Sequence, residues 1–496
     1  MKKVIAIVGV IIVGWLGMTG YISNTFKGEF EQYIERVNRL YASQGIAYKA
    51  EVESSFFTSD VKLEIDFDEA RLGKAVTDTY AEFISLPVKV AYRVEHGPIF
   101  YKNGFGIGFA KFSAEMKASE ILAGKLKENL LETVSQDIKL YLAEVLCFDK
   151  TLKIKMHSSA VTIEKSGEKV EIAPLVGNGV IDTQTLLGSF DLTLPKVSVE
   201  GNGVTAMAED TTMHVEMKDI LAGKYLLGEG QFKVAKIRME QEGLSKPVEM
   251  DFTIDFSTAR EEGDYMTLAI DAGFNQEGLE QLEPAARELV KQITLSIELN
   301  GLSVEALQKF EALNEKQVEM TESLYAVMNE RDQRKAEAAQ KRTAVAQEAF
   351  LSTATEAVKA LLVKERTKVG VAMEFSTKEG AKSSLSFSSG YVGDALQGNL
   401  EEMMAYLRTK PLEYLTLNID MDINEKHFAL IQSPQEQQQA KMGFDMAVMQ
   451  GMMNLENGVY STKLEYEPKT LKINGQDKTQ QFLPLVEISI AQGAAN

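Results

Sequence analysis

The chain has 496 residues, 45% of them hydrophobic and 25% charged, which allows a sizeable core in two or more units and excludes both a disordered tail and a small stapled module. With 72 acidic against 53 basic side chains the formal net charge is -19; no basic patch is concentrated enough to hold a phosphate backbone, so a nucleic-acid partner is excluded and the acidity reads as a solubility device. The single cysteine, Cys147, rules out an intrachain disulfide framework and a multi-thiolate metal site, and its apolar surroundings mark an inert buried thiol.

The run from Val4 to Ile22 carries no charge, follows Lys2 and Lys3, and at about 1.5 Å per residue is long enough to cross a hydrocarbon core of about 30 Å. It predicts a transmembrane anchor over 1–23, with the N-terminus cytoplasmic and everything beyond about Ser23 outside. A cleaved signal peptide is the competing reading, but Gly17-Met-Thr-Gly-Tyr offers only imperfect spacing for cleavage. No second comparable run occurs, so the expected topology is single-pass.

Residues Gly28 to Ala42 place Phe30, Tyr33, Ile34, Val37 and Leu40 at helical spacing, predicting an amphipathic helix that packs on the body. From Ala47 the period changes to two. AYKAEVESSFF, DVKLEIDF, VKVAYRVE, TLKIKMHSS, LTLPKVSVE, TMHVEMKD, VEMDFTIDF, MTLAIDAGF and ITLSIELNG all alternate as strands with one buried face do. Lys165-Ser-Gly-Glu and Glu200-Gly-Asn-Gly are turn signals that favour antiparallel hairpins. Helix is predicted from Ser119 to Cys147, and again after Ser303, which is placed to cap it, with a break near Arg331 where the chain turns almost wholly polar. After Val369 strands return, followed by a helical stretch from Glu436 to Met453 and a terminal hairpin, GVYSTKLEYEPKTLKINGQ.

The expected fold is therefore α+β, with an N-terminal transmembrane helix and a β-rich body of long antiparallel sheet with packed helices. Its divisions are expected at 1–23 (anchor), 24–300 (β-rich with a helical insertion), 301–366 (helical) and 367–496 (strands, Met-rich helix, hairpin). A short echo between Glu115-Met-Lys-Ala-Ser-Glu-Ile-Leu-Ala-Gly-Lys and Glu216-Met-Lys-Asp-Ile-Leu-Ala-Gly-Lys is too isolated for a solenoid repeat.

Ser55-Phe-Phe-Thr-Ser-Asp with its following strand, Val94-Glu-His-Gly-Pro-Ile-Phe, the strand-to-helix passage from Leu299 to Asn314 and the terminal hairpin together resemble the YdgA-like bacterial envelope proteins, a domain of unknown function. The resemblance implies an inner-membrane-anchored periplasmic protein without an established activity. It supplies no catalytic residues to carry over.

Chemistry is sparse. With four histidines (His96, His157, His214, His427) and no H-E-x-x-H, neither a metal site nor a cofactor is expected. Asp420-x-Asp422-x-Asn424 starts like a calcium loop but continues with Glu425 and reaches Ile431 at position twelve, so it reads as strand alternation. Gly104-Phe-Gly-Ile-Gly lacks the strand-to-helix setting of a dinucleotide site. His96-Gly97-Pro98 is the sharpest local feature: either a ligand-contacting or catalytic histidine, or a strand-ending turn whose imidazole satisfies backbone groups, the favoured reading. Met442, Met446, Met449, Met452 and Met453 recur at helix-face spacing, read as a packed core helix in preference to an apolar groove.

Three functions follow in order of preference. The first is a non-enzymatic scaffold that binds an envelope protein or itself. The second is a module for lipid or another apolar ligand, with His96, Met442, Met446, Met449 and Met453 as candidate contacts. The third is a hydrolase centred near His96.

Overall fold

Two-residue alternation governs the fold as it governs the sequence. The computed structural model describes residues 2–100, 106–125, 127–128, 134, 137–165, 167–278, 290–329, 333–377, 379–431 and 433–484, with the backbone alone for 2–12. The chain divides into two units, Met1–Gly230 and Gln231–Asn496.

The first unit opens with one helix, Lys2–Tyr41, that takes in both the apolar run and the amphipathic stretch after it. Then follow β1 (Ile46–Ser54), β2 (Thr58–Phe67), β3 (Val88–His96), the short pair β4 (Ile99–Phe100) and β5 (Gly106–Ile107), β6 (Ala110–Lys117), β7 (Lys139–Leu146), β8 (Thr151–Ser158), β9 (Val161–Lys165), β10 (Glu168–Ile172), β11 (Val176–Asp182), β12 (Gly188–Gly201) and β13 (Val204–Leu221). Antiparallel pairing runs in the order β1, β2, β3, β6, β7, β8, β11, β12, β13. The β9–β10 hairpin docks on the half of β12 that β11 leaves free. Between β12 and β13 the chain reverses through Asn202 and Gly203, both at positive φ (51° and 76°), the geometry a two-residue hairpin turn needs and these residue types adopt cheaply.

The expected N-terminal transmembrane helix, and with it the single-pass inner-membrane location, is overturned: among the described residues no helix is long and apolar enough to cross a membrane. The physical reason lies in what the helix's apolar side chains touch. Trp15 stacks on Phe57 at 5.8 Å, Thr19 Oγ1 donates to the Gly97 carbonyl at 2.8 Å, and Ile22 and Phe26 are buried with Val61, Val94, Phe112 and Leu152 of the sheet. From Trp15 onward the helix is the lid of this unit's own core; the side chains of the first part of the run from Val4 to Ile22 lie outside the described residues.

The helix predicted from Ser119 to Cys147 is also corrected. The described helical residues there are Ala118–Ile121, 124–125 and 127–128, and Lys139–Leu146 is strand β7, paired on both sides. Leu140, Leu142 and Leu146 project to the core face by alternation, and two ladders of partners override the helix propensity of a Leu-, Ala- and Glu-rich stretch.

In the second unit β14 (Tyr225–Gln241), within which the division falls, leads into β15 (Val248–Arg260), β16 (Tyr265–Glu277) and β17 (Val290–Ser303). Helices Val304–Asn329 and Gln333–Leu361 pack against each other before the chain re-enters the sheet; the break expected near Arg331 lies outside the described residues. Ser303 Oγ accepts from the Ala306 amide at 3.0 Å and so caps the first of them. Next come β18 (Lys368–Thr377), β19 (Lys382–Tyr391), helix Leu400–Thr409 with an Asn399/Glu402 capping box, β20 (Leu415–Asn424), a 3-10 turn at Glu425–Leu430, helix Pro434–Met449, β21 (Asn454–Glu456), β22 (Val459–Glu467) and β23 (Thr470–Ile473). The ladder β15, β16, β17, β18, β19, β20, β22, β23 is antiparallel throughout.

Candidate functional site

Register fixes which side chains of the second unit share a face. Ile254, Ala272, Leu295, Met373, Leu385 and Met421 stand opposite one another from β15 to β20 and form one ridge across the strands. Two residues along, Phe256, Ile270, Ile297, Val371, Phe387 and Ile419 form a second, and Phe252, Phe274, Ile293 and Phe375 a third. Every one of these side chains is apolar, while the intervening positions (Asp255, Asp271, Ser296, Ser386, Asp420) carry the polar residues of the other face.

An apolar sheet face is ordinarily packed against a second layer. Here Phe256, Ile293, Leu295, Ile297, Val369, Met373, Leu385 and Phe387 are all exposed. Contiguous exposed apolar area of this kind marks an interaction or ligand surface.

Among the described residues, helical segments pack at two strand ends of this face. At one end Tyr391 and Leu415, paired across β19 and β20, pack with Leu400, Met403 and Leu407 and with Val358. At the other, Phe375 meets the His427 ring at 4.7 Å, and Tyr460 is held between Phe428 and Phe444 at 5.8 and 5.2 Å. The result is an apolar floor bounded at two strand ends by packed helical segments, over a sheet backbone whose hydrogen bonds are satisfied within the ladder.

Of the residues singled out by sequence, Met442, Met446 and Met449 lie on the exposed side of helix Pro434–Met449, whereas Met453 is buried. The core-helix reading fails for the first three because Phe444 and Asp445 carry the inward face, Asp445 accepting from the Tyr460 hydroxyl at 2.6 Å. That hydroxyl, buried beside a carboxylate, is pushed up to about 12.

His96 ends β3 in the other unit and is buried under the N-terminal helix, its ring 5.4 Å from Phe26. Nδ1 donates to the Phe56 carbonyl at 3.2 Å and Nε2 lies 2.9 Å from Ser59 Oγ, itself buried. Burial holds this imidazole below its ordinary value. Gly97, next to it, has no room for a side chain, since a Cβ would fall 1.8 Å from the Gly108 carbonyl oxygen. A second buried imidazole, His427, pairs through Nδ1 with Ser383 Oγ.

Glu144 is the group the sequence reading missed. It stands in β7 directly opposite Phe112 and Ile154, in a core row that also includes Val94. Tyr92 donates its hydroxyl to Oε1 at 3.2 Å, and desolvation between helix and sheet pushes the carboxyl up to about 7. The signal was available: once Leu142 and Leu146 are placed on a strand, the residue between them on the same face is a carboxylate.

Among the described residues no group of three or more His, Cys, Asp or Glu side chains is placed to hold a metal ion. No curated protein and no solved structure matches the chain. The model of the family described as a bacterial protein of unknown function, DUF945, matches residues 1–480. A match that runs from the N-terminal helix through the terminal hairpin, and so takes in both units and the open apolar face, makes this chain a member of the DUF945 family.

Proposed function

We propose that this DUF945 protein is a non-enzymatic binding protein for acyl chains, held on the open apolar face of β15–β20. The observation that carries the reading is that three ridges of aliphatic, methionine and phenylalanine side chains cross consecutive strands, with Leu295, Met373, Leu385, Phe256, Ile297, Phe387 and Ile293 exposed and the others half-buried. A protein partner would be matched by hydrogen-bonding groups and a polar rim, with aromatic and arginine anchors; an acyl chain asks for none of these. The walls at the strand ends favour a thin ligand over a second flat sheet. Within the family we place the chain with the YdgA-like members, on the His96-Gly97-Pro98 and terminal-hairpin motifs. The Ser59–His96 pair supports a structural role, because both groups are buried and hydrogen-bonded within the core.

The test is mass spectrometry of whatever the full chain retains after purification without detergent, together with titration by a fluorescent long-chain fatty acid. The expected result is a bound acyl lipid and saturable titration, both lost in Leu295→Asp/Phe387→Asp while circular dichroism is unchanged. Removing about 1.5–3 kcal/mol per buried apolar side chain, at 1.4 kcal/mol per tenfold, weakens binding at least about tenfold. A lipid-free chain that does not titrate sinks the reading, and a stoichiometric co-purifying protein in its place makes the face a scaffold surface.

A further inference from the structure

We infer that the acyl chain lies across the strands, in the furrow between the Leu295 ridge and the Ile297 ridge, with its methyl end toward β20 and β22 and its polar end toward β15. This rests on the acyl-binding reading above and adds the direction and polarity of the bound chain.

Three observations set the direction. Directly opposed side chains on neighbouring strands touch, with Cβ atoms about 4.5–5.5 Å apart, so each ridge is closed along its length. Successive ridges are separated by two residues of strand, about 6.8 Å, which leaves furrows running across the sheet. A chain laid along a strand would climb over every ridge; one laid in a furrow touches two ridges continuously.

The walls act the same way. On β19 the apolar-face positions Ser383 and Tyr391 are 2% and 1% exposed, while Leu385 and Phe387 between them are 38% and 41% exposed. Along β19 the open floor is therefore stopped at both ends. Across the strands it continues: Phe256 on β15, Leu295 and Ile297 on β17 and Met373 on β18 are open too. From β15 to β19 this is four strand spacings, about 19 Å, the scale of a long extended acyl chain.

Polarity follows from how the face closes. Beyond β20 the face closes: the furrow's own continuations on β22, Thr462 and Leu464, are half-buried, and Tyr460 and Tyr466 to either side of them, Leu471 and Ile473 on β23, and Met453 are buried. Toward β15 the floor remains open to solvent at Phe256. A methyl terminus belongs at the covered end and a hydrated polar group at the open one.

The test uses tryptophan fluorescence quenched by fatty acids brominated either near the carboxylate or near the methyl end. Trp15 is the only tryptophan, and in a Trp15→Phe background four single-tryptophan chains are made: Phe256→Trp and Phe387→Trp along the furrow, Ile293→Trp and Ile297→Trp along one strand. The expected result is that carboxylate-side bromine quenches more at 256 and methyl-side bromine more at 387, so the ratio of the two inverts between them, with equal ratios at 293 and 297. Inversion between 293 and 297, inversion in the opposite sense, or equal ratios at all four positions overturns the inference while leaving acyl binding standing. Absence of quenching at every position is instead the failure of acyl binding itself.

Discussion

Glu144 and His96 flank the same helix and titrate with opposite consequences. The Glu144 carboxyl is raised from an ordinary value of 4.5 to about 7, so the folded chain keeps a proton that the unfolded chain releases. Its contribution to stability is complete below about pH 4.5 and is lost as pH rises through about 7. Glu144→Gln leaves an acceptor for the Tyr92 hydroxyl and removes the charge. Urea unfolding at pH 8 should find the variant about 1–3 kcal/mol more stable than the parent, with the difference gone at pH 4; parallel pH curves would refute the assignment. His96 runs the other way: its value is lowered by burial, so its contribution is present above 6.5 and lost as pH falls below it. His96→Gln should cost about 1–3 kcal/mol at neutral pH, through the hydrogen bonds lost to Ser59 and the Phe56 carbonyl, and should flatten the acid limb of the pH profile below 6.5 while leaving the alkaline one. The His96-Gly97-Pro98 turn could be read from sequence because glycine and proline constrain the backbone locally. Glu144 was legible only in part: alternation puts it on the face of Leu142 and Leu146 once the segment is a strand, but a carboxylate's burial depends on which helix lies over that strand.

At the scale of elements, the sheet of the first unit begins on β1, whose described ladder partner is β2 alone. An open strand edge invites pairing with another chain. The N-terminal helix addresses this with one side chain: Asn38 Nδ2 donates to the Tyr48 carbonyl at 2.8 Å and Oδ1 accepts from the Tyr48 amide at 2.7 Å, taking the place of a neighbouring strand at that residue. Asn38→Ala should destabilise the chain by about 1–3 kcal/mol and speed hydrogen exchange at the Tyr48 amide, whereas Asn38→Asp, which keeps the acceptor, should protect that amide. Equal exchange in all three chains would mean that the helix, and not the amide, shields the edge. Strands with a clean period of two and hairpins with Asn-Gly turns were legible in the sequence, because both signals are local. The Lys139–Leu146 strand was misread because good helix formers fill it and only its pairing with β6 and β8 decides otherwise. The apolar run near the N-terminus was misread for a related reason: hydropathy measures how apolar a helix is, and Ile22 and Phe26 are apolar because they fill a protein core.

For the molecule as a whole, a net charge of -19 and an open apolar face act against each other. Like charge keeps copies apart, and its reach is set by salt, about 10 Å at 0.1 M and about 3 Å at 1 M. Apolar association is not screened in this way, and excluded salts strengthen it. The sequence showed the alternation that builds this face but not its exposure, since period two is the same whether a second layer covers the strands or not. Sedimentation of the lipid-stripped chain therefore discriminates. Raising sodium sulfate until screening removes the repulsion should drive self-association of the parent, with the apparent mass rising and with a fatty acid reversing the rise by occupying the face. Leu295→Asp/Phe387→Asp should stay at one mass throughout. If association instead falls as salt rises, charged contacts hold the copies together and the apolar face is not what they share; if the double variant associates as the parent does, the contact lies elsewhere on the chain.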